Sequence, residues 1–183
     1  HIDEFDGAWM MQRLTDYIVE HLSQQIKAGC DTVQLFDSWA SDLGEDHIIP
    51  YCYEPTAQIV ERLKALHPDV GIIVFPRLIG EEINNFSKYV DADCISLSDD
   101  MKTDWILKRM GHQCLQGGIP PEALLAENKE AILRATVPMI RQMKDSAYVV
   151  NLAHGINKET PVENVRFFIE IVKRNRENIT RET

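Results

Sequence analysis

The feature that most restricts the fold of this chain is an alternation. Val33–Phe36, Gly71–Phe75, Cys94–Leu97, His112–Gln116 and Tyr148–Val150 are short runs rich in apolar or β-branched residues. Between them lie stretches whose apolar residues recur three and four positions apart. The first kind of spacing reads as a strand and the second as an amphipathic helix. No pair of successive runs is joined by a hairpin turn signal, so the strands are expected to lie parallel, with helical crossovers. Two architectures meet that pattern, a complete five-stranded doubly wound sheet and part of an eight-stranded barrel. Pattern alone favours the open sheet, because five units are visible. Both place ligands at the C-terminal ends of the strands.

The helical segments can be read in order. Leu14, Ile18, Leu22 and Ile26 predict a helix over 6–28 with one inward stripe, closed by Gly29 as a C-cap. Residues 41–55 read as irregular, with Pro50 and Pro55 bracketing Tyr51 and Tyr53. A helix over 55–66 carries Ile59, Val60, Leu63 and Leu66 inward and ends at His67-Pro68. Further helices run through Ile83, Phe86 and Val90, and over 105–110 to Gly111. Pro120-Pro121 starts a short turn, and 129–143 puts Ile132, Thr136, Met139 and Met143 inward. Thr160 as cap, Pro161 at the first helical position and Glu163 start the last helix, with Val165, Phe168, Ile169 and Val172 inward.

Charge and cysteine usage exclude several function classes. The chain has 183 residues, 44% of them hydrophobic, enough for one core. Its net charge of -10 argues against nucleic acid, which needs clustered cations. Lys173, Arg174, Arg176 and Arg181 gather only on the last helix, where the helix dipole favours them. No apolar run approaches the roughly 18 residues of a membrane span, and residues 1–6 lack the marks of a signal peptide. With no initiator methionine, the chain is expected to be a processed product or a fragment. Cys30, Cys52, Cys94 and Cys114 form no C-x-x-C pair, which suits a reducing cytoplasm. His112 and Cys114 would share a face of their strand, but two ligands do not make a metal site, and both are read as structural.

Chemistry should therefore sit in the strand-to-helix loops. These hold Asp37-Ser38, Arg77, Asp99-Asp100, Gln116-Gly117-Gly118 and Asn151 to Gly155. Neither G-x-G-x-x-G nor G-x-x-x-x-G-K-S occurs, which argues against nucleotides. Asp37, Ser38 and His154 are the residue types of a hydrolase triad, but no nucleophile-elbow motif surrounds Ser38. Asp37 and Ser38 either cap the following loop or meet a ligand, and Asp99-Asp100 read as helix caps. Gly117-Gly118 can simply permit a turn. His154 is either a hydrogen-bonded loop histidine or a ligand contact. Gly155 beside it, which lets a ligand approach closely, favours the second.

Val33-Gln34-Leu35-Phe36-Asp37-Ser38-Trp39-Ala40, then Leu115-Gln116-Gly117-Gly118-Ile119-Pro120-Pro121, then Asn151-Leu152-Ala153-His154-Gly155 with Thr160-Pro161-Val162-Glu163-Asn164-Val165, stand in that order along the chain. Together they resemble the uroporphyrinogen decarboxylase family over essentially the whole length. The chain departs from the family at Gly118, where Asn is common, at Ala153, where Gly is common, and over Ser96 to Asp100.

The resemblance implies an α/β fold, a (β/α)8 TIM barrel of which residues 1–183 form the C-terminal portion, roughly its last five βα units. It implies conversion of uroporphyrinogen III to coproporphyrinogen III by loss of carbon dioxide from four acetate side chains, without metal or organic cofactor. The family's substrate-contacting serine or threonine falls on Ser38 and its substrate-contacting histidine on His154. Phe36, Arg77 and Gln116 stand at neighbouring strand ends and are further candidates for substrate contact. The family's arginine-rich loop, its aspartate that holds the pyrrole NH groups and its active-site tyrosine are expected upstream, so no catalytic residue is assigned here and the segment alone is expected to be inactive. The implied partners are the small-molecule substrate and a second copy in a homodimer, in the cytoplasm, with neither nucleic acid nor membrane. Five strands of a barrel would also leave two unpaired edges, which invite association. Two other readings stand beside this one. A corrinoid-dependent methyltransferase of the same superfamily would want a zinc-binding His-x-Cys near residues 72–77 and Cys in place of His154. A non-catalytic tetrapyrrole-binding barrel would bind without turnover.

Overall fold

The computed structural model describes the backbone of residues 4–182 and the side chains of residues 7–175. The expectations for residues 1–6, Arg176 and Arg181 lie outside the described side chains. The chain divides into two units, His1–Ile95 and Ser96–Thr183.

The first unit opens with α1 (Glu4–Lys27). Gly29 ends the helix at φ +108°, and the Cys30 amide donates back to the Gln25 carbonyl at 3.2 Å, the left-handed C-cap expected of a glycine there. The inward face is Thr15, Val19, Leu22 and Ser23, so the stripe is rotated from the expected one: Leu14 is 47% exposed. Leu14 shares the outer side with Met10 and Tyr17, and two apolar faces on one helix leave the spacing ambiguous.

β1 (Thr32–Asp37) and β2 (Gly71–Pro76) pair in parallel from Thr32 opposite Gly71 to Asp37 opposite Pro76. β2 pairs in parallel with β3 (Cys94–Leu97) through Ile73–Cys94 and Val74–Ile95. Gln34, Phe36, Ile73, Phe75 and Cys94 thereby fall on one face, where Phe75 and Cys94 are buried and Phe36 is exposed, and Val33, Ile72, Val74 and Ile95 on the other, where all four are buried. The link from β1 to β2 is helical earlier than expected. α2 (Glu45–Ile48) leads through a π-helical turn, Ile49–Tyr53, into α3 (Glu54–Leu66). A widened turn accommodates Pro50, which has no amide to donate, and Pro55 takes the start of α3, where none is needed. Ile59, Val60 and Leu63 are buried as expected, whereas Leu66 at the helix end is 60% exposed. α4 (Ile83–Tyr89) buries Ile83 and Phe86, with Val90 after it. Arg62 reaches from α3 to Asp16 of α1 at 2.6 Å and holds that carboxyl below its ordinary range.

β3 carries the chain into the second unit. α5 (Thr103–Met110) starts after Lys102 in the capping position, so Asp99 and Asp100 lie too far upstream to cap it. β4 (Cys114–Gly117) begins two residues later than expected, with His112 in the preceding turn, so His112 and Cys114 do not share a strand face. α6 (Lys129–Gln142) is capped by Asn128, whose side chain accepts from the Ala131 amide at 3.2 Å. Its four expected inward residues are all buried. β5 (Tyr148–Val149) pairs with β4 in parallel, Leu115 opposite Tyr148 and Gln116 opposite Val149. It is shorter and more open than the buried strand expected there: Val149 is 44% exposed. The chain turns directly afterwards, where Asn151 Oδ1 accepts from the Leu152 amide at 2.8 Å. α7 (Val162–Glu182) starts where expected, but Thr160 Oγ1 is buried without a hydrogen-bond partner among the described residues instead of capping it. Asn164, Phe168 and Ile171 face inward, and Ile169 is 45% exposed.

All the strand pairings described are parallel and helices separate the strands, so the fold class is the expected α/β. No helix among the described residues is long and apolar enough to cross a membrane.

Candidate functional site

In the first unit the candidate residues gather where β1 and β2 end. The Arg77 amide donates to the Asp37 carbonyl at 3.0 Å, which extends the ladder by one bond and sets Ser38 and Arg77 at adjacent strand ends. One residue back, Phe36 meets Phe75 edge-on with ring centroids 6.3 Å apart, and Phe36 is 63% exposed. Asp37 itself turns to the helices. The Cys52 thiol is buried near it, and burial pushes that thiol far up from its ordinary value, with the Asp37 charge adding to the effect. Ser38 is exposed.

Arg77 differs from its neighbours in what it lacks. Its Nε is buried with no hydrogen-bond partner among the described residues. A permanent cation at a strand end is suited to an incoming carboxylate. The next residue, Leu78, has φ +57°, a left-handed conformation that side chains rarely adopt, so the loop leaving Arg77 turns sharply at a conformational cost. A cavity of about 650 Å³ lies in the same unit, lined by Ala40, Leu43, Ile48, Tyr53, Leu78 and Glu82 among others. None of the candidate residues lines it. Tyr53 closes one side by donating to Glu82 Oε2 at 3.0 Å, and burial raises its phenol well above the ordinary value.

In the second unit the chemistry lies on the ends of β4 and β5. Gln116 is 4% exposed and donates to Ser96 Oγ at 3.3 Å, which makes it a polar tie inside the sheet. Gly117 and Gly118 follow at φ +83° and +82°. The Gly118 amide donates to the Leu97 carbonyl at 3.0 Å, and Tyr148 donates its hydroxyl to the Gly117 carbonyl at 2.6 Å. Ile119 bridges to Leu152, and the Ala153 amide donates to the Ile119 carbonyl at 2.7 Å, so the loop carrying His154 is clamped to the loop after β4.

That clamp sets the two ring nitrogens of His154 in different surroundings. Nδ1 lies 3.0 Å from the Gly155 carbonyl, and Nε2 lies 3.7 Å from Glu122 Oε1. The side chain is 28% exposed, open enough to meet a ligand. Asn164 anchors the start of α7 by donating to the carbonyls of Leu124 at 2.8 Å and Ala126 at 3.0 Å, in the stretch that follows Glu122. The structure thus gathers Phe36, Ser38 and Arg77 in one unit, and Gln116 and His154 on neighbouring strand ends in the other.

Comparison with known proteins identifies the framework. The family model described as uroporphyrinogen decarboxylase (URO-D) matches residues 7–175. The chain belongs to the uroporphyrinogen decarboxylase family. It is 34% identical over 166 residues to a uroporphyrinogen decarboxylase of Cereibacter sphaeroides, covering 90% of this chain and 48% of that protein. The protein of the same name from Orientia tsutsugamushi is 35% identical over 160 residues, 87% of this chain and 47% of the relative. That of Paracoccus denitrificans is 33% identical over 167 residues, 91% and 48% respectively. The chain spans about half the length of these curated relatives and matches their C-terminal half. The uroporphyrinogen decarboxylase family is built on a TIM barrel, so the parallel strands and intervening helices here are βα units of that barrel, not the complete open sheet that pattern alone favoured.

Three polar neighbours were not legible in the sequence: Cys52 near Asp37, Tyr148 on Gly117 and Glu122 beside His154. Each joins positions far apart along the chain. Only Glu122 left a sequence signal, as an acid in the first turn after Pro120-Pro121 in a strand-to-helix loop.

Proposed function

We propose that this chain is the C-terminal part of a uroporphyrinogen decarboxylase, a carboxy-lyase of tetrapyrrole biosynthesis that converts uroporphyrinogen III to coproporphyrinogen III. Family membership over residues 7–175 carries this reading. The substrate, a homodimeric assembly and cytoplasmic location belong to the same proposal.

The chemistry asks little of any single side chain. Protonation of a pyrrole at its α-carbon makes a cation conjugated to the acetate. The bond to the carboxylate then breaks, its electron pair flows into the ring, and carbon dioxide leaves. A proton delivered to the resulting exocyclic methylene gives the methyl group, and loss of the α-proton restores the pyrrole. The protein must hold the ring in place, balance the transient positive charge and bind the carboxylates that do not react. In this chain Ser38, Arg77 and His154 are the carboxylate contacts: a hydroxyl donor, a guanidinium and a partly exposed imidazole. Phe36, exposed at the end of β1, offers the pyrrole an apolar edge. Gln116 is spent on Ser96 and acts through the sheet.

The macrocycle carries eight carboxylates and the chain a net charge of -10, so binding needs more local cations than Arg77 supplies. They are assigned to an arginine-rich loop upstream, together with the aspartate that faces the pyrrole NH groups. The expected outcome is coproporphyrinogen formation by the full-length protein and none by residues 1–183 alone, followed by fluorescence of the oxidised porphyrins. Turnover by the isolated segment would remove the assignment of the essential groups upstream. A full-length protein that binds the macrocycle but never releases carbon dioxide would replace the enzyme with a binding protein.

A further inference from the structure

Gly117 closes β4 and Gly118 follows it, with φ +83° and +82°, conformations that only glycine adopts readily. Space enforces the same choice at Gly117, where an added Cβ would lie 2.9 Å from the Leu97 carbonyl oxygen and 3.2 Å from that of Leu152. A peptide unit between two glycines has no flanking side chain to fix which way it faces, so groups outside it must do so. Both ends of the Gly117–Gly118 unit are held. The Gly118 amide donates to the Leu97 carbonyl at 3.0 Å, and the Gly117 carbonyl accepts from the Tyr148 hydroxyl at 2.6 Å. Leu97 ends β3 and Tyr148 starts β5, so the strands on either side of β4 grip the unit between them.

That hold carries on toward His154. The next residue, Ile119, bridges to Leu152, and its carbonyl accepts from the Ala153 amide at 2.7 Å. His154 follows directly. We propose that Tyr148 is a positioning residue for substrate: its hydroxyl fixes the Gly117–Gly118 peptide, and through Ile119 and Ala153 that peptide sets His154 in place. The bond joins positions 31 residues apart, so it ties the exit of one strand to the start of the next. Burial raises the Tyr148 phenol well above its ordinary value, which keeps it a donor through the neutral range. In Tyr148→Phe the ring still fills its place while the carbonyl end of the unit is released. The peptide can then turn over at little cost, because neither neighbouring residue opposes it.

The proposal rests on the reading of His154 as a substrate contact, and the experiment separates the two. Full-length Tyr148→Phe, His154→Ala and the double variant are compared with the parent protein at neutral pH, with uroporphyrinogen III as substrate. Tyr148→Phe should raise KM about five-fold, the factor expected for one lost hydrogen bond, with kcat nearly unchanged. In the His154→Ala background the same change should add nothing further, because the contact it positions is already gone. Amide hydrogen exchange in Tyr148→Phe should quicken at Gly118 and Ala153 and keep the parent rate at Met143, whose amide bonds the Met139 carbonyl at the end of α6. Gly118→Ala disfavours the observed φ of the same peptide by a separate route, so it should raise KM in the same direction, and it stands in if Tyr148→Phe does not fold. A KM rise as large without His154 as with it would mean a general loosening and would overturn the proposal. So would an unchanged KM in Tyr148→Phe, or exchange at Gly118 that keeps the parent rate. A KM unchanged in His154→Ala would instead remove His154 as a contact, and the positioning role with it.

Discussion

Cys52, Tyr53 and Tyr148 each carry a proton that burial makes hard to remove. All three have folded-state values raised above the ordinary 9.0 for the thiol and 10.0 for the phenols, so the protonated side chains favour the fold. In the unfolded chain they ionise at the ordinary values. Their stabilising contribution is therefore complete below about pH 9 and shrinks as pH rises past 9 to 10 toward the raised values. Chemical denaturation of the full-length protein between pH 8 and 11 should show this fall, and Tyr148→Phe should lessen it while costing about 1 kcal/mol at neutral pH for the lost bond to Gly117. The same burial predicts that iodoacetamide labels exposed Cys30 in the native protein and spares Cys52, as peptide mass spectrometry would report. The identities of Ser38 and His154 were legible as residues in strand-to-helix loops. Their surroundings were not, because the Gly155 carbonyl, Glu122 and the Cys52 thiol are brought into place by the fold.

At the scale of elements, helix existence was easier to read than helix orientation. Leu14 and Ile169 kept the right spacing but point outward, because α1 and α7 carry apolar residues on more than one side and the packing partner selects the face, whereas Leu66 is exposed because α3 ends there. On α6, where Ile132, Thr136, Met139 and Met143 form one stripe, the reading held for every residue. The junction after β4 shows a backbone requirement that composition only hints at. A Cβ on Gly117 would lie 2.9 Å from the Leu97 carbonyl oxygen, and one on Gly118 would lie 2.8 Å from the Met139 methyl carbon. Both residues also have positive φ. Gly117→Ala should cost about 1–3 kcal/mol, since it adds left-handed strain and meets backbone that cannot yield. The shift of the urea midpoint in the full-length protein would measure it. Gly118→Ala should be milder, because the atom it meets ends a flexible side chain.

On the scale of the whole molecule, α1 shows an apolar face among the described residues. Trp9, Met10, Leu14 and Tyr17 are 63%, 45%, 47% and 72% exposed along α1. Residues 1–183 expressed alone should therefore self-associate, eluting above their 21.0 kDa and enhancing the fluorescence of a hydrophobic dye, whereas the full-length protein should not bind the dye. A monodisperse 21.0 kDa species without dye binding would show that this surface is tolerated. By itself the sequence determined the alternation of strand and helix, the parallel sense of the strands, the loops that hold Ser38, Arg77 and His154, and the family, because all of these follow from local spacing or from motifs read in order. Tertiary structure alone decided which helix faces turn inward, that Gln116 is consumed by Ser96, that the Arg77 Nε is buried and that Glu122 stands beside His154. Those are meetings between distant positions, and the energy that selects them comes from burial and hydrogen bonding in three dimensions, which no local pattern encodes.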